Sequence, residues 1–181
     1  ISTLVLEKDG RQANQMLTKL SAFLRYSLDS DPLQRTTLAE ELRALQLYLD
    51  IEKTRFGDRL KITLDIDPEA MESRVPSLIL QPAIENAIKY AIARMETGGE
   101  IAIVAKRDGE FLKLAVCDNG PNPPPDPSSL LASSRSGVGL VNMRERLTHL
   151  YGARQSFAVE RREPTGLSVV MRFPYDTRQQ V

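Results

Sequence analysis

The sequence predicts an α+β chain in which an α-helical hairpin leads into a mixed region of strands and helices. Three observations carry that reading. Across residues 11–30 and 37–56 the apolar side chains fall three and four apart, the spacing of one helix face. From Leu60 the period drops to two, as Leu60, Ile62, Leu64 and Ile66 alternate with Lys61, Thr63 and Asp65. At Asp108-Gly109 two alternating runs meet at a dipeptide that favours a tight hairpin turn.

Each element follows from its residues. Ala13, Met16, Leu17, Leu20, Phe23, Leu24 and Leu28 form the stripe of the first helix, and Ser30-Asp31-Pro32 stops it. The second helix starts near Thr37, with Glu40 three residues on to complete a capping box. Leu38, Leu42, Leu45 and Leu49 form its stripe, which suits packing within one chain or a dimer interface equally. The short connection makes the pair an antiparallel hairpin. A half-buried strand over 60–66 is followed by a short apolar run over 75–80. Pro82 fits the first turn of the next helix. There Ile84, Ile88 and Ala91 face one way, while Glu85, Asn86 and Lys89 lie off that stripe. Glu85 and Lys89, four apart, also suit a plain surface ion pair.

Gly98-Gly99 breaks the chain before a strand through Ile101, Ile103 and Ala105, and Leu112, Leu114 and Val116 make the return strand, ending at Asp118. Residues 119–136 hold five prolines and no periodic pattern, which predicts a mobile loop. Helix returns over 138–150 and ends at Tyr151-Gly152. Phe157 and Val159, then Leu167, Val169, Met171 and Phe173, give two closing strands before a polar tail.

Composition narrows the function. Lys+Arg and Asp+Glu are both 24, whereas a nonspecific nucleic-acid binder is normally more basic, so no nucleic-acid partner is expected. The one cysteine, Cys117, excludes an internal disulfide framework, and it ends an apolar run, which predicts a buried thiol. No run approaches the roughly 20 apolar residues of a membrane helix. The chain opens on Ile1 without a signal-peptide pattern, and it reads as a piece of a longer protein. The expected setting of this segment is cytoplasmic, with no membrane contact of its own, whether or not the longer protein is anchored in a membrane.

Three segments carry the chemistry. A side-chain oxygen such as that of Asn86, on a helix face, can ligate Mg²⁺, whose remaining ligands would be water and phosphate oxygens. Asp118, at a strand end beside Gly120, can accept a hydrogen bond from an adenine amine and would refuse the guanine carbonyl. The glycines of Gly137-Val138-Gly139-Leu140, opening a helix, let phosphate approach free N–H groups. Each has a plainer reading. An isolated Asn is a polar helix-face residue, Asp-Asn-Gly is a common turn, and glycines are ordinary at helix ends.

Their joint order resembles the ATP-binding domain shared by histidine kinases, DNA gyrase, a heat-shock chaperone family and mismatch-repair ATPases. Glu85-Asn86 with Lys89 is similar to that superfamily's N box, Asp118-Asn119-Gly120 to its first glycine box, and Gly137-Val138-Gly139-Leu140 with Asn142 to its second. Gly166-Leu167-Ser168 is similar to the last box. A narrower resemblance covers nearly the whole chain. The segments 49–60, 75–89 and 142–147, followed by Tyr151-Gly152, resemble LytS-type sensor histidine kinases.

The resemblance implies a two-layer α/β sandwich of the Bergerat type behind the helical hairpin. It divides the chain into a truncated dimerisation and phosphotransfer region at 1–57, an ATP-binding catalytic domain at 58–175 with a lid at 119–136, and a tail at 176–181. It implies ATP and Mg²⁺ as cofactors, a response regulator as partner, and a homodimer through the N-terminal helices. Glu85 and Asn86 become catalytic, Asn86 being the Mg²⁺ ligand. Lys89, Tyr90, Asp118, Gly120, Gly137, Val138, Gly139, Leu140 and Ser168 become nucleotide contacts. The phosphoacceptor histidine of such kinases lies upstream of this segment, so this piece alone is not expected to phosphorylate itself. His149, the sole histidine, lies after the second glycine box in an apolar-flanked segment and reads as structural. Two positions depart from the pattern. Tyr90 replaces a usual basic or histidine residue, and Asn122, before the proline run, replaces a glycine. The rival readings are an ATP-hydrolysing relative with Glu85 as base and a non-catalytic dimerisation or binding module.

Overall fold

The computed structural model describes residues 10–29, 31, 34–131 and 138–178. The first helix, α1 (Gly10–Asp29), runs back along α2 (Leu38–Phe56). Lys19 Nζ meets Asp50 Oδ2 at 2.6 Å, and the Phe23 and Tyr48 rings lie 5.5 Å apart, so the two helices run in opposite directions. The expected capping box holds α2 at its start. The Thr37 hydroxyl accepts the Glu40 N–H at 3.2 Å, and the Glu40 carboxylate accepts the Thr37 N–H at 3.0 Å.

Just before α2, β1 (Arg35–Thr37) pairs antiparallel with β3 (Arg74–Pro76). The main sheet comprises β2 (Leu60–Ile66), β4 (Gly99–Asp108), β5 (Phe111–Asp118), β6 (Ser156–Arg161) and β7 (Leu167–Pro174), in the order β2-β4-β5-β7-β6. Only β2–β4 is parallel, because the chain between them crosses over through α3 (Gln81–Tyr90). The last helix, α4 (Val138–Tyr151), packs beside α3.

One hydrophobic core fills the space between helices and sheet. Ile101 and Ile103 of β4 and Leu112 and Leu114 of β5 are fully buried against Ile84 of α3 and Leu147 of α4. Each such side chain stabilises the fold by about 1.5–3 kcal/mol. The alternate residues of β4, Ala102 and Val104, are half-buried, so helices cover one face only. The same core takes in Leu38, Leu45, Leu49 and Phe56 of α2.

Several expectations need correcting. The hairpin turn is Gly109-Glu110, since Asp108 still pairs with Phe111. Gly109, at φ 60°, takes the first loop position, where a two-residue hairpin needs positive φ. Leu64 is 55% exposed, because β2 is an edge strand with less of the helical layer above it. His149 is exposed in the last turn of α4 rather than packed among its apolar neighbours. Leu17, Leu24 and Leu28 remain exposed on α1. The loop from Asn119 is irregular only to Asp126. There the Asp126 carboxylate accepts the Ser128 N–H at 3.0 Å and starts a single 3₁₀ turn, Pro127–Leu131. Residues 132–137, with Gly137 among them, lie outside the described residues.

Candidate functional site

A cavity of about 270 Å³ opens between α3, the C-terminal end of β5, the proline-rich loop and the start of α4 and β7. Asn86, Tyr90, Asp118, Gly120 and Leu140 line it, so the structure gathers five of the residues singled out by sequence. Its walls are otherwise mostly apolar, including Val116, Leu167 and Val169, which suits the flat face of a heterocycle.

Asp118 is the polar group at its base, 9% exposed. Its Oδ1 accepts the Gly120 N–H at 2.8 Å and the Leu167 N–H at 3.3 Å. The first bond makes the turn that the plainer reading expected, so turn and cavity use the same aspartate. Both bonds fall on Oδ1, which leaves Oδ2 without a protein donor among the described residues. Burial pushes the Asp118 carboxyl above the usual aspartate range, against the two N–H donors and the Arg162 charge. Two glycines make this geometry possible. A Cβ on Gly120 would meet Ala91 Cβ at 2.5 Å, and one on Gly166, at φ 109°, would meet the Asp118 carbonyl oxygen at 2.0 Å.

Asn86 faces the cavity from α3. Its Nδ2 donates to the Pro82 carbonyl at 2.9 Å. That bond commits the amide nitrogen and leaves Oδ1, the atom a hard cation would take. Among the described residues no group of three or more His, Cys, Asp and Glu could hold a metal, so a cation at Asn86 would draw its other ligands from substrate and water. Gly139 lies where a Cβ would touch Pro82 Cβ at 3.2 Å and approach Asn86 Nδ2 at 3.9 Å, which lets α4 begin close against α3. Val138 is 54% exposed at that helix end.

Other predicted residues stand elsewhere. Glu85 is outside the cavity wall, exposed, and takes the Gln81 Nε2 donor at 2.6 Å rather than pairing with Lys89. Lys89 is exposed, its Nζ 4.9 Å from the Tyr90 ring centroid. Ser168 is turned away. It pairs with Cys117, whose Sγ lies 2.7 Å from its Oγ, while strand alternation sends Leu167 and Val169 inward. Cys117 is buried as expected. Asn122 also lines the cavity and has φ 54°. An asparagine tolerates that left-handed conformation, so the departure from glycine keeps the backbone path.

Sequence reasoning missed three residues. Arg94 lines the cavity from the 3₁₀ turn after α3, with its guanidinium carbon 5.3 Å from the Tyr90 ring centroid. Arg162 Nη1 donates to the Asp118 carbonyl at 3.2 Å, and Thr165 Oγ1 donates to the Gly120 carbonyl at 2.7 Å. Thr165 adjoined a segment already singled out. The two arginines carried no signal beyond being exposed-looking charges.

A family model described as histidine kinase-, DNA gyrase B-, and HSP90-like ATPase matches residues 71–177. The chain belongs to this family. A second model, described as histidine kinase, matches residues 1–60. Among curated relatives, Sensor histidine kinase BtsS of Escherichia coli is 32% identical over 94% of this chain, and Sensor protein LytS of Staphylococcus haemolyticus is 34% identical over 98%. The chain spans 29% and 31% of their lengths. Among solved structures, the catalytic domain of histidine kinase ThkA superposes with a TM-score of 0.63 at 19% identity, covering 78% of this chain and 94% of that one. ThkA in complex with the response regulator protein TrrA superposes at 0.60 with 18% identity, covering 98% of this chain and 52% of that one. The expected two-layer sandwich behind a helical hairpin is therefore the fold of this ATPase family. No helix among the described residues is long and apolar enough to cross a membrane.

Proposed function

We propose that this chain is the ATP-binding, phosphoryl-donating part of a two-component sensor histidine kinase. It binds ATP with Mg²⁺ and gives the terminal phosphoryl group to a histidine upstream of Ile1. From there the group passes to an aspartate of a response regulator. The observation that carries the reading is Asp118, its Oδ2 without a protein donor among the described residues, in an apolar cavity that Asn86 also lines, with the Asn86 amide nitrogen already committed to Pro82.

In this reading Asp118 accepts the adenine amine, and Gly120 lets the base approach. Tyr90, Leu140 and Val169 sandwich the ring. Asn86 holds the cation, which would supply charge neutralisation on the phosphates. Lys89, Val138 and Gly139 meet the phosphate end, through an ammonium and through N–H groups at the start of α4. Glu85, bonded to Gln81 and outside the cavity wall, is poorly placed as a water-activating base. His149 is exposed on α4 and is not the acceptor. The exposed leucines of α1 serve a homodimer.

Thermal unfolding with and without Mg²⁺-ATP tests this. Ligand at about a hundredfold over its Kd adds roughly 2.7 kcal/mol. For a chain of this size that raises Tm by about 5–10 °C. The shift should vanish in Asp118→Ala and be absent with Mg²⁺-GTP. No shift in the wild-type protein would sink the proposal.

A further inference from the structure

Glu41 of α2 is a carboxylate only 2% exposed. Its Oε2 accepts the Leu78 N–H at 2.7 Å, and its Oε1 accepts the Leu80 N–H at 3.0 Å. The same turn is gripped at Ser77. The Ser77 N–H and hydroxyl both donate to the Gln34 carbonyl, at 3.1 and 3.2 Å, and Arg146 Nη1 of α4 donates to the Ser77 carbonyl at 2.6 Å. Within the turn Leu78 has φ 58°, a conformation that a γ-branched residue keeps only when its surroundings hold it. The turn leads straight into α3, whose N-cap is Leu80 and has no side-chain cap of its own. Asn86 and Tyr90 ride on α3, and Leu140 rides on the helix that Arg146 anchors.

We infer that Glu41 is a positioning residue for the nucleotide cavity, clamping the turn at 77–80 so that α3 presents Asn86 and Tyr90 to the ligand while Arg146 ties α4 to the same turn. Only an ionised carboxylate offers two acceptors and no donor to two facing N–H groups. Burial pushes the Glu41 carboxyl up, against the Leu80 and Leu78 N–H donors and the Arg146 charge, and its carboxylate form is the one that suits the positive start of α3. A purely space-filling role would not need the acid, since buried ions are often replaced by apolar groups without loss. The clamp lies on the hairpin side of the molecule, so a displacement of α2 reaches the cation-binding wall through two hydrogen bonds.

The inference rests on the nucleotide reading, and one experiment separates the two. A fluorescent trinitrophenyl-ATP with Mg²⁺ is titrated into the wild-type chain, Glu41→Gln and Ala44→Gly, all well below their melting temperatures. Ala44→Gly loosens the same helix at a buried site whose side chain makes none of the turn's hydrogen bonds. Glutamine turns an amide NH₂ donor towards one of the two N–H groups, so Glu41→Gln should weaken binding about tenfold. It should also move the Asn86 side-chain and Tyr90 amide resonances in a ¹⁵N–¹H spectrum, and Ala44→Gly should do neither. Binding within twofold of wild type together with an unmoved Asn86 resonance would overturn the inference. If the wild-type chain binds no nucleotide, the proposed function falls, and the Asn86 and Tyr90 resonances of Glu41→Gln still decide the clamp. If Glu41→Gln does not fold, Arg146→Lys, which shortens the opposite jaw, is judged by the same two thresholds.

Discussion

Replacing Gly166 by alanine should damage the fold and the cavity together. At φ 109° a non-glycine residue is strained by about 1–3 kcal/mol. Its Cβ would also stand 2.0 Å from the Asp118 carbonyl oxygen and 2.9 Å from Asn119 Cα, and both are backbone atoms that no rotamer change can move. Forced overpacking costs a further 1–3 kcal/mol or so. A total of about 4 kcal/mol lowers Tm by roughly 8–16 °C in a chain of this size. Gly152 supplies the control. It also has positive φ, at 55°, but a Cβ there meets nothing within 4 Å. Gly152→Ala should therefore cost only about 1 kcal/mol, or ~3 °C. Calorimetric melts of the two variants read the difference, and a nucleotide titration of Gly166→Ala should show weakened binding because the Leu167 N–H no longer seats Asp118. Equal melting temperatures for the two variants would refute the claim that close backbone approach, rather than conformation alone, demands glycine at 166.

Two further outcomes are expected. Glu40 is held down to about 2, first by the Thr36 hydroxyl and then by the Thr37 N–H, so the stability it contributes is present above its ordinary value of 4.5 and lost as the pH falls towards 2. Because Glu40 is exposed the effect is small, and Glu40→Gln should flatten the acid limb of a Tm-against-pH curve by roughly 1–3 °C. Leu17 and Leu24 are 46% and 49% exposed, so if α1 forms the proposed homodimer face, the double variant Leu17→Glu/Leu24→Glu should sediment as monomer and lose any dependence of Tm on protein concentration. An unchanged mass would remove α1 as the dimer face.

Much of this architecture can be read directly from residue order. The capping box at Thr37 and Glu40, Pro82 at the start of α3, and the alternation in β4 are local signals, and each appears where local chemistry puts it. Asp118, Gly120 and Asn86 were legible because a strand end, a glycine and a helix face are themselves local facts. What escaped depended on partners far along the chain. Leu64 alternates correctly, yet its exposure is decided by β2 being an edge. Ser168 sits in a suggestive segment, but the register that pairs it with Cys117 turns it from the cavity. Arg162 and Thr165 reach Asp118 and Gly120 across 44 and 45 residues, a closeness only the β5–β7 pairing creates.

The core that takes in α2 has a consequence for how this molecule comes apart. Leu38, Leu45, Leu49 and Phe56 share one apolar cluster with Ile84, Leu112 and Phe173. A protease or a cloning boundary at residue 57 would therefore cut through continuous packing, and the severed sheet would bare the surface those four side chains cover. Hydrogen exchange should find the amides of α2 from Leu38 to Leu49 opening together with those of β4 and β5, in a single cooperative unit, while α1 frays at much lower energy.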